Sequence, residues 1–297
     1  MEASPWSARG VNLGPMYNAP HPETYRDQLR AFLREDWGTQ DWTTASVSDR
    51  PMEGRVVAKG DLVLAGMAAA AEVVRIVDPS VEVLFQAKDG DWLTKGELAF
   101  VLNGNSHALL LSERVMLNLL QRLSGTATLT RAFVEAVEGT GAQILDTRKT
   151  TPGLKLLEKY AVRCGGGVNH RLTLGDGVLL KENHLAAMGG IRPAVEAARK
   201  TAPNLVRIEV EVENLDQFDE CLRIPDIDGV LLDNMSNEEM REAVRRKAEA
   251  GSRLFLEASG NLSLDRARSV AETGVDFLSV GALTHSAPSV DLSLRLG

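Results

Sequence analysis

Residues 142–185 read AQILDTRKTTPGLKLLEKYAVRCGGGVNHRLTLGDGVLLKENHL, in which two short apolar runs, AQILD at 142–146 and VLLKE at 178–182, bracket an amphipathic stretch. Similar runs recur as VRIEVEV (206–212), GVLLDN (229–234), LFLEAS (254–259) and DFLSVGA (276–282). Between them, segments beginning near Ile191, Asn214, Ser236 and Leu262 carry apolar residues at helical spacing. Near-continuous Val, Ile and Leu runs separated by helices read as parallel strands covered on both faces, and repeated βα units close most economically as a barrel. The expected fold class is α/β, with an α/β barrel as its main body.

Polar residues fall repeatedly where these runs end: Asp146 through Lys149, Lys181 with Glu182, Glu211, Asp233 with Asn234, Glu257 with Ser259, and Gly281. One such residue is an ordinary solvated strand end. Six strand ends in succession mark the face on which barrel enzymes keep their chemistry.

The chain carries formal charge -8, with 41 Asp plus Glu against 33 Lys plus Arg, so the cations Arg148, Lys149, Arg171 and Lys181 form a local pocket rather than a general bias. A small, strongly anionic guest is expected there. A surface that coats nucleic acid must neutralise many phosphates, and this balance disfavours it.

Ahead of the barrel the pattern differs. GRVVAKGDLVLAG (54–66), VEVLFQAK (81–88) and ELAFVLNG (97–104) are separated by turn pairs such as Asp89-Gly90 and Lys95-Gly96, which predicts antiparallel strands. Ser112 is expected to cap a helix carrying Met116, Leu119, Leu120 and Leu123, with Glu113 in its first turn. The chain divides into an N-terminal α+β domain at 1–120, joined by a tail at 286–297, and an α/β barrel catalytic domain at 121–285. The hairpin KDGDWLTKGELAF (88–100) resembles those of lipoyl and biotinyl carriers, yet lacks an exposed lysine flanked in the carrier manner.

The start, MEASPWSARG, lacks a basic region followed by an apolar run, and the most apolar stretch, Leu62 to Val77, is broken by Glu72 and Arg75. The reading is a soluble, cytoplasmic protein with no membrane partner. Cys164 and Cys221, the only cysteines, have no metal-like or CxxC spacing and are expected to be buried and inert in a reducing compartment.

Arg148 beside Lys149 suits a carboxylate or phosphate gripped by a planar guanidinium and neutralised by an ammonium. Gly165, Gly166 and Gly167 let backbone approach a ligand closely or reach positive φ. Glu211 and Asp233, on neighbouring strands, are candidate ligands for Mg²⁺, which takes one or two carboxylates together with ligand oxygens. Glu209 and Glu213 alternate with Glu211 on one segment, and the pattern alone does not choose among them. Ser259-Gly260-Asn261 and Gly281-Ala282-Leu283 offer backbone amides for phosphate, with Thr284 and His285 following. Lys181 at a strand end also fits a class I aldolase, and the glycine loops and hairpin fit a non-catalytic phosphate-binding or carrier protein.

Taken in order, SERVMLNLLQRLSGTAT (112–128), DTRKTTPGLKLLEKYAVRCGGGVNHRLTL (146–174), LLKENH (179–184), EVEVENL (209–215), LLDN (231–234), LEASGN (256–261) and VGALTHS (280–286) closely resemble the quinolinate phosphoribosyltransferases. The similarity runs from about Glu35 to Ser286, and DTRKTTPG combined with GGGxNHR is highly specific. The resemblance implies an incomplete, TIM-like barrel beside a mixed N-terminal domain. It also implies a homodimer with shared active sites and Mg²⁺-dependent phosphoribosyl transfer to quinolinate with decarboxylation in NAD biosynthesis.

Carried over by position, quinolinate would meet Arg114 of the second subunit together with Arg148, His170, Arg171 and Lys181. Phosphoribosyl pyrophosphate would meet Lys149, Glu211, Asp233, Ser259, Gly260, Gly281 and His285. Thr147, Asn261 and Ala282 complete the substrate-binding set. Lys149, Lys181, Glu211 and Asp233 would carry the catalysis, with Glu211 and Asp233 holding the metal. Two departures stand out: SGN replaces the more usual SGG at 259–261, which puts a phosphate contact at Asn261 in doubt, and CLRIPDIDGVLLDN (221–234) has a proline on its approach. A related phosphoribosyltransferase with another acidic ring substrate is the nearest alternative.

Overall fold

The computed structural model describes residues 19–297. The opening decapeptide on which the leader reading rests lies outside the described residues, as does the start of the 1–120 division. Helices α1 (Arg26–Trp37) and α2 (Trp42–Ala45) precede β1 (Pro51–Ala58), β2 (Leu62–Val63), α3 (Met67–Val77), β3 (Glu82–Phe85), β4 (Trp92–Leu93) and β5 (Leu98–Asn105). A long helix, α4 (Ser106–Ala136), leads into the second half. There β6 (Gln143–Leu145), α5 (Lys155–Cys164), β7 (Val178–Leu180), α6 (Glu182–Met188), α7 (Ile191–Thr201), β8 (Ile208–Val212) and α8 (Leu215–Cys221) follow. The chain then forms β9 (Gly229–Asp233), α9 (Asn237–Glu249), β10 (Phe255–Ser259), α10 (Leu264–Ala271), β11 (Phe277–Ser279), α11 (Ala282–His285) and β12 (Leu292–Leu296).

The expected class is the observed one. Six parallel strands stand in the order β6-β11-β10-β9-β8-β7, and a separate antiparallel sheet has the order β12-β1-β5-β3. The parallel sheet curls without closing: beyond β6 lies a single parallel bridge, Leu145 to Val168, and β7 forms the other edge. Local sequence accounts for several boundaries. Ser236 and Glu239 make a reciprocal capping box on α9, and the Asn214 side chain accepts the Gln217 N–H at the start of α8.

Ser112 is not a cap. The helix begins six residues earlier at Ser106, whose Oγ accepts the Arg50 N–H at 3.2 Å, so β5 runs directly into α4. Ser112 sits buried in the second turn, and its hydroxyl donates to Ala108 O at 2.8 Å. The apolar spacing after Ser112 was helical because it continues a helix already under way. With 31 residues, α4 packs against α3 on one side and α5 on the other, and residues 120 and 121 fall inside it.

The C-terminal segment returns to the N-terminal sheet, where β12 pairs antiparallel with β1, Arg295 facing Arg55. On its way it is fastened to α4. Arg122 Nη1 donates to Ala287 O at 2.7 Å, Gln121 Nε2 donates to Leu292 O at 2.8 Å, and a Cβ at Gly125 would stand 2.0 Å from Pro288 O. The carrier-like hairpin is docked as well: Asp89 accepts the Met67 N–H and the Tyr160 hydroxyl.

The amino end of the barrel is plugged by Phe255 and Phe277, packed edge to face with centroids 5.7 Å apart. Gly229 makes room for that plug, since a Cβ there would lie 2.1 Å from the Phe255 ring.

Candidate functional site

At the carboxyl ends of the barrel strands lies a cleft of about 640 Å³. Every residue that the family resemblance carries over to the site lines it, with the single exception of Arg114. Thr147, Arg148 and Lys149 follow β6; His170 and Arg171 follow the bridge at Val168; Lys181 follows β7. Glu211 and Asp233 come from β8 and β9, Ser259, Gly260 and Asn261 from the end of β10, and Gly281, Ala282 and His285 from beyond β11. Arg114 is exposed on α4 and lines no part of this cleft.

One wall is cationic. Burial pushes the Arg171 guanidinium down from its ordinary value, and the neighbouring Arg148 charge adds to the effect. Two like charges held side by side are suited to a multivalent anion. Arg171 Nη1 donates to Gly177 O at 2.8 Å, which ties the guanidinium to its own loop, and Thr173 with Asp176 closes that loop. Lys181 forms an ion pair with Glu211 across the ends of β7 and β8.

The opposite wall is made of tight turns. Gly260 has φ +98°, and a Cβ on it would stand 2.2 Å from Asn234 Oδ1. Asn234 (φ 54°) and Asn261 (φ 49°) are also left-handed, a region asparagine tolerates better than most residues. Asn261 therefore takes up a glycine-like backbone at the position where the sequence departs from SGG. Asn234 Nδ2 donates to Asp233 Oδ2 at 2.8 Å. Next to Gly281, the Thr284 hydroxyl donates to Lys149 O at 2.8 Å, and His285 is exposed rather than part of the core.

Below the mouth lie residues whose importance sequence reasoning did not establish. Asp146, at the start of the DTRK run, is wholly buried and points away from the cleft. Its Oδ1 accepts Lys159 Nζ at 2.5 Å and the His170 N–H at 2.9 Å, and its Oδ2 accepts Asn169 Nδ2 at 2.6 Å. Burial pushes the Asp146 carboxyl up and the Lys159 ammonium down, and their mutual attraction opposes both shifts. Glu257, 1% exposed, forms part of the cleft floor, and Glu209 lies buried beside it, so only Glu211 of the three alternating glutamates faces the cleft. The sequence signal for this layer is a charged residue embedded in an apolar strand run, as in VRIEVEV and LFLEAS.

The three glycines do not line the cleft. A Cβ at Gly165 would lie 2.4 Å from Ala127 O, and one at Gly167 would lie 2.8 Å from Thr130 Cγ2, so these two admit close packing against α4, while Gly166 takes the positive φ (96°) that the sequence reading allowed for. Both cysteines are buried. Burial pushes Cys221 up to about 12, with Glu220 adding to it, and raises Cys164 as well, which fits inert thiols.

Residues 41–124 match the family described as "Quinolinate phosphoribosyl transferase, N-terminal domain", and residues 126–295 match its C-terminal domain. The chain belongs to the quinolinate phosphoribosyltransferase family. It is 44% identical to the "Nicotinate-nucleotide pyrophosphorylase [carboxylating]" of Mycobacterium leprae, over 91% of this chain and 96% of that one. It is 43% identical to the "Probable nicotinate-nucleotide pyrophosphorylase [carboxylating]" of Bacillus subtilis, over 90% and 91%. Among solved structures, the nicotinate-nucleotide pyrophosphorylase from Francisella tularensis superposes with a TM-score of 0.90 at 38% identity, covering 94% of this chain and 98% of that one. The family's two-domain division falls between residues 124 and 126, in the middle of α4.

Proposed function

We propose that this cleft transfers a phosphoribosyl group from phosphoribosyl pyrophosphate to quinolinate and releases CO₂, giving nicotinate mononucleotide and pyrophosphate in NAD biosynthesis. The observation that carries this reading is the division of one cleft into a cationic wall and a wall of glycine and asparagine turns beside two carboxylates.

Quinolinate is a dianion, so both carboxylates must leave water together. Charge-assisted hydrogen bonds, roughly 1.5 to 3 kcal/mol each, offset that loss. Arg148, Arg171 and Lys181 supply the donors, and Arg114 of a second subunit completes the set in a homodimer. The exposure of Arg114 on α4 supports a role across a subunit boundary. On binding, quinolinate competes with Glu211 for Lys181 and separates the cationic wall from the acidic one.

Phosphoribosyl pyrophosphate lies along the turns at 259–261 and 281–282, with Lys149 and His285 beside its phosphates. Glu211 and Asp233, on adjacent strands and lining one cleft, form a hard oxygen donor set suited to Mg²⁺. When bound with the pyrophosphate, Mg²⁺ supplies charge neutralisation for the leaving group. Lys149 adds to that neutralisation, while Asp233 and Glu211 face the oxocarbenium character that develops on the ribose.

The pyridine nitrogen attacks ribose C1 as the C1–O bond to pyrophosphate breaks. The resulting pyridinium nitrogen adjoins the carbon bearing the 2-carboxylate, so the electron pair left by CO₂ is stabilised by that positive charge and then takes up a proton. No organic cofactor is required as an electron sink.

The turns at 259–261 and 281–282 have no evident task in a Schiff-base aldolase. No helix among the described residues is long and apolar enough to cross a membrane. We place the reaction in the cytoplasm, where thiols such as Cys164 and Cys221 stay reduced. Turnover of quinolinate and of nicotinate, measured side by side with phosphoribosyl pyrophosphate, tests the proposal: quinolinate alone is consumed if it holds, and preference for nicotinate rejects it.

A further inference from the structure

His170 lines the cleft, yet both of its ring nitrogens are already engaged within the protein. Nδ1 lies 2.7 Å from the backbone nitrogen of Arg171, and a backbone N–H can only donate. Nδ1 therefore carries a lone pair, and the ring proton sits on Nε2. That Nε2–H points down into the barrel, 3.0 Å from Glu209 Oε2 and 3.5 Å from Glu257 Oε2.

The two carboxylates lie between the Phe255–Phe277 plug and the mouth of the cleft, 5% and 1% exposed, with Glu257 reaching the cleft floor. Glu209 Oε1 and Glu257 Oε2 have no donor among the described protein groups. Burial, and after it the charge of Glu209, pushes the Glu257 carboxyl well up. Glu257 thus stands against Glu209, and Glu209 Oε2 is left to accept from His170.

We propose that Glu209, backed by Glu257, is a positioning residue for the quinolinate half of the site, acting through the imidazole of His170 on the backbone and guanidinium of Arg171. The carboxylate fixes His170 as its Nε2–H tautomer; that tautomer presents an acceptor to the Arg171 N–H; and the anchored backbone sets where the guanidinium leaves the loop. From the other side, Asp146 and Lys159 hold the backbone N–H and C=O of His170. His170 thus acts as a buttress and gives no N–H to the substrate. Without the Glu209 acceptor the ring can take the Nδ1–H tautomer, which sets one N–H against another at Arg171.

The inference rests on the proposed quinolinate activity for its kinetic test, but its geometry is tested independently of it. Glu209→Leu removes the acceptor at similar volume and should raise KM for quinolinate about tenfold or more while KM for phosphoribosyl pyrophosphate stays within about twofold. Glu209→Gln, whose amide oxygen can still accept from His170 while its NH₂ faces Glu257, should recover most of the lost quinolinate affinity. Equal increases in both KM values, or no difference between the leucine and glutamine variants, would overturn the proposal. Nitrogen NMR of the unmutated protein, with the His170 signals assigned by their loss in His170→Asn, avoids any buried substitution. A protonated Nε2 with an unprotonated Nδ1 is expected, and a ring protonated on Nδ1 overturns the proposal. A wild-type protein that rejects quinolinate would refute the proposed function while leaving this NMR result to stand or fall by itself.

Discussion

Lys159 holds His170 by its backbone carbonyl: Nζ donates to His170 O at 3.0 Å and, on its other side, to Asp146 Oδ1 at 2.5 Å. Asp146 in turn accepts the His170 N–H, so one buried ion pair grips both ends of the same peptide segment. Removing one member leaves an uncompensated charge in the interior, which costs about 3–5 kcal/mol. Lys159→Met is therefore expected to lower the denaturant midpoint by a corresponding amount and to weaken quinolinate binding in whatever protein remains folded. A midpoint equal to wild type would show that the pair contributes little.

Arg171→Ala should weaken quinolinate far more than phosphoribosyl pyrophosphate, because a guanidinium matched to a ring carboxylate has no counterpart role at the sugar. The loss of one charge-assisted contact corresponds to about tenfold or more in KM. Steady-state kinetics with each substrate varied in turn decide it, and equal weakening of both would remove Arg171 from the carboxylate site.

Asp233→Asn should impair use of phosphoribosyl pyrophosphate and shift the Mg²⁺ dependence to higher concentration, while quinolinate binding stays measurable. The amide keeps the Asn234 contact within reach but lacks the charge a hard cation requires. Titration of activity against Mg²⁺ checks this, and an unchanged curve would contradict it.

Gly260→Ala combines two costs, a left-handed backbone at φ +98° and a Cβ 2.2 Å from Asn234 Oδ1. It should raise KM for phosphoribosyl pyrophosphate about tenfold or more, since backbone strain of about 1–3 kcal/mol falls on the phosphate turn itself. Binding measured by calorimetry, with a far-ultraviolet spectrum to confirm folding, separates that effect from unfolding.

Much of the barrel was legible because its signal is local. AQILD, VLLKE, VRIEVEV, GVLLDN, LFLEAS and DFLSVGA coincide with β6 to β11, and Ile191, Asn214 and Ser236 stand at or just before the helices expected there. The rim residues were legible for the same reason, since strand ends expose their polar side chains on one face. What stayed hidden depends on depth and on long-range pairing. Glu209 and Glu211 are two residues apart on one strand face, and only the level of the plug beneath them decides which is buried. Asp146 reads as a rim residue until Lys159, thirteen positions on, is seen to meet it inside. The glycines at 165–167 left ligand approach and positive φ both open; Gly166 has the positive φ, and nothing in the sequence reveals that α4 passes against Gly165 and Gly167.

Arg114 is expected to serve a neighbouring pocket, so Arg114→Ala and Lys149→Ala, each nearly inactive alone, should complement when subunits are mixed. In a mixed dimer one pocket unites an intact Lys149 with an intact Arg114, and the other has lost both. Random reassortment makes about half the molecules mixed, each with one good site, for roughly a quarter of wild-type activity. Confirmed subunit exchange with no return of activity would place Arg114 outside the shared site.

The central claim is that this cleft joins quinolinate to phosphoribose and expels the 2-carboxylate. The most direct measurement is the release of labelled CO₂ from quinolinate labelled in that carboxylate, followed together with pyrophosphate. The account predicts CO₂ and pyrophosphate in equal amounts, each dependent on both substrates. Pyrophosphate formed without CO₂, or CO₂ released without phosphoribosyl pyrophosphate, would contradict it.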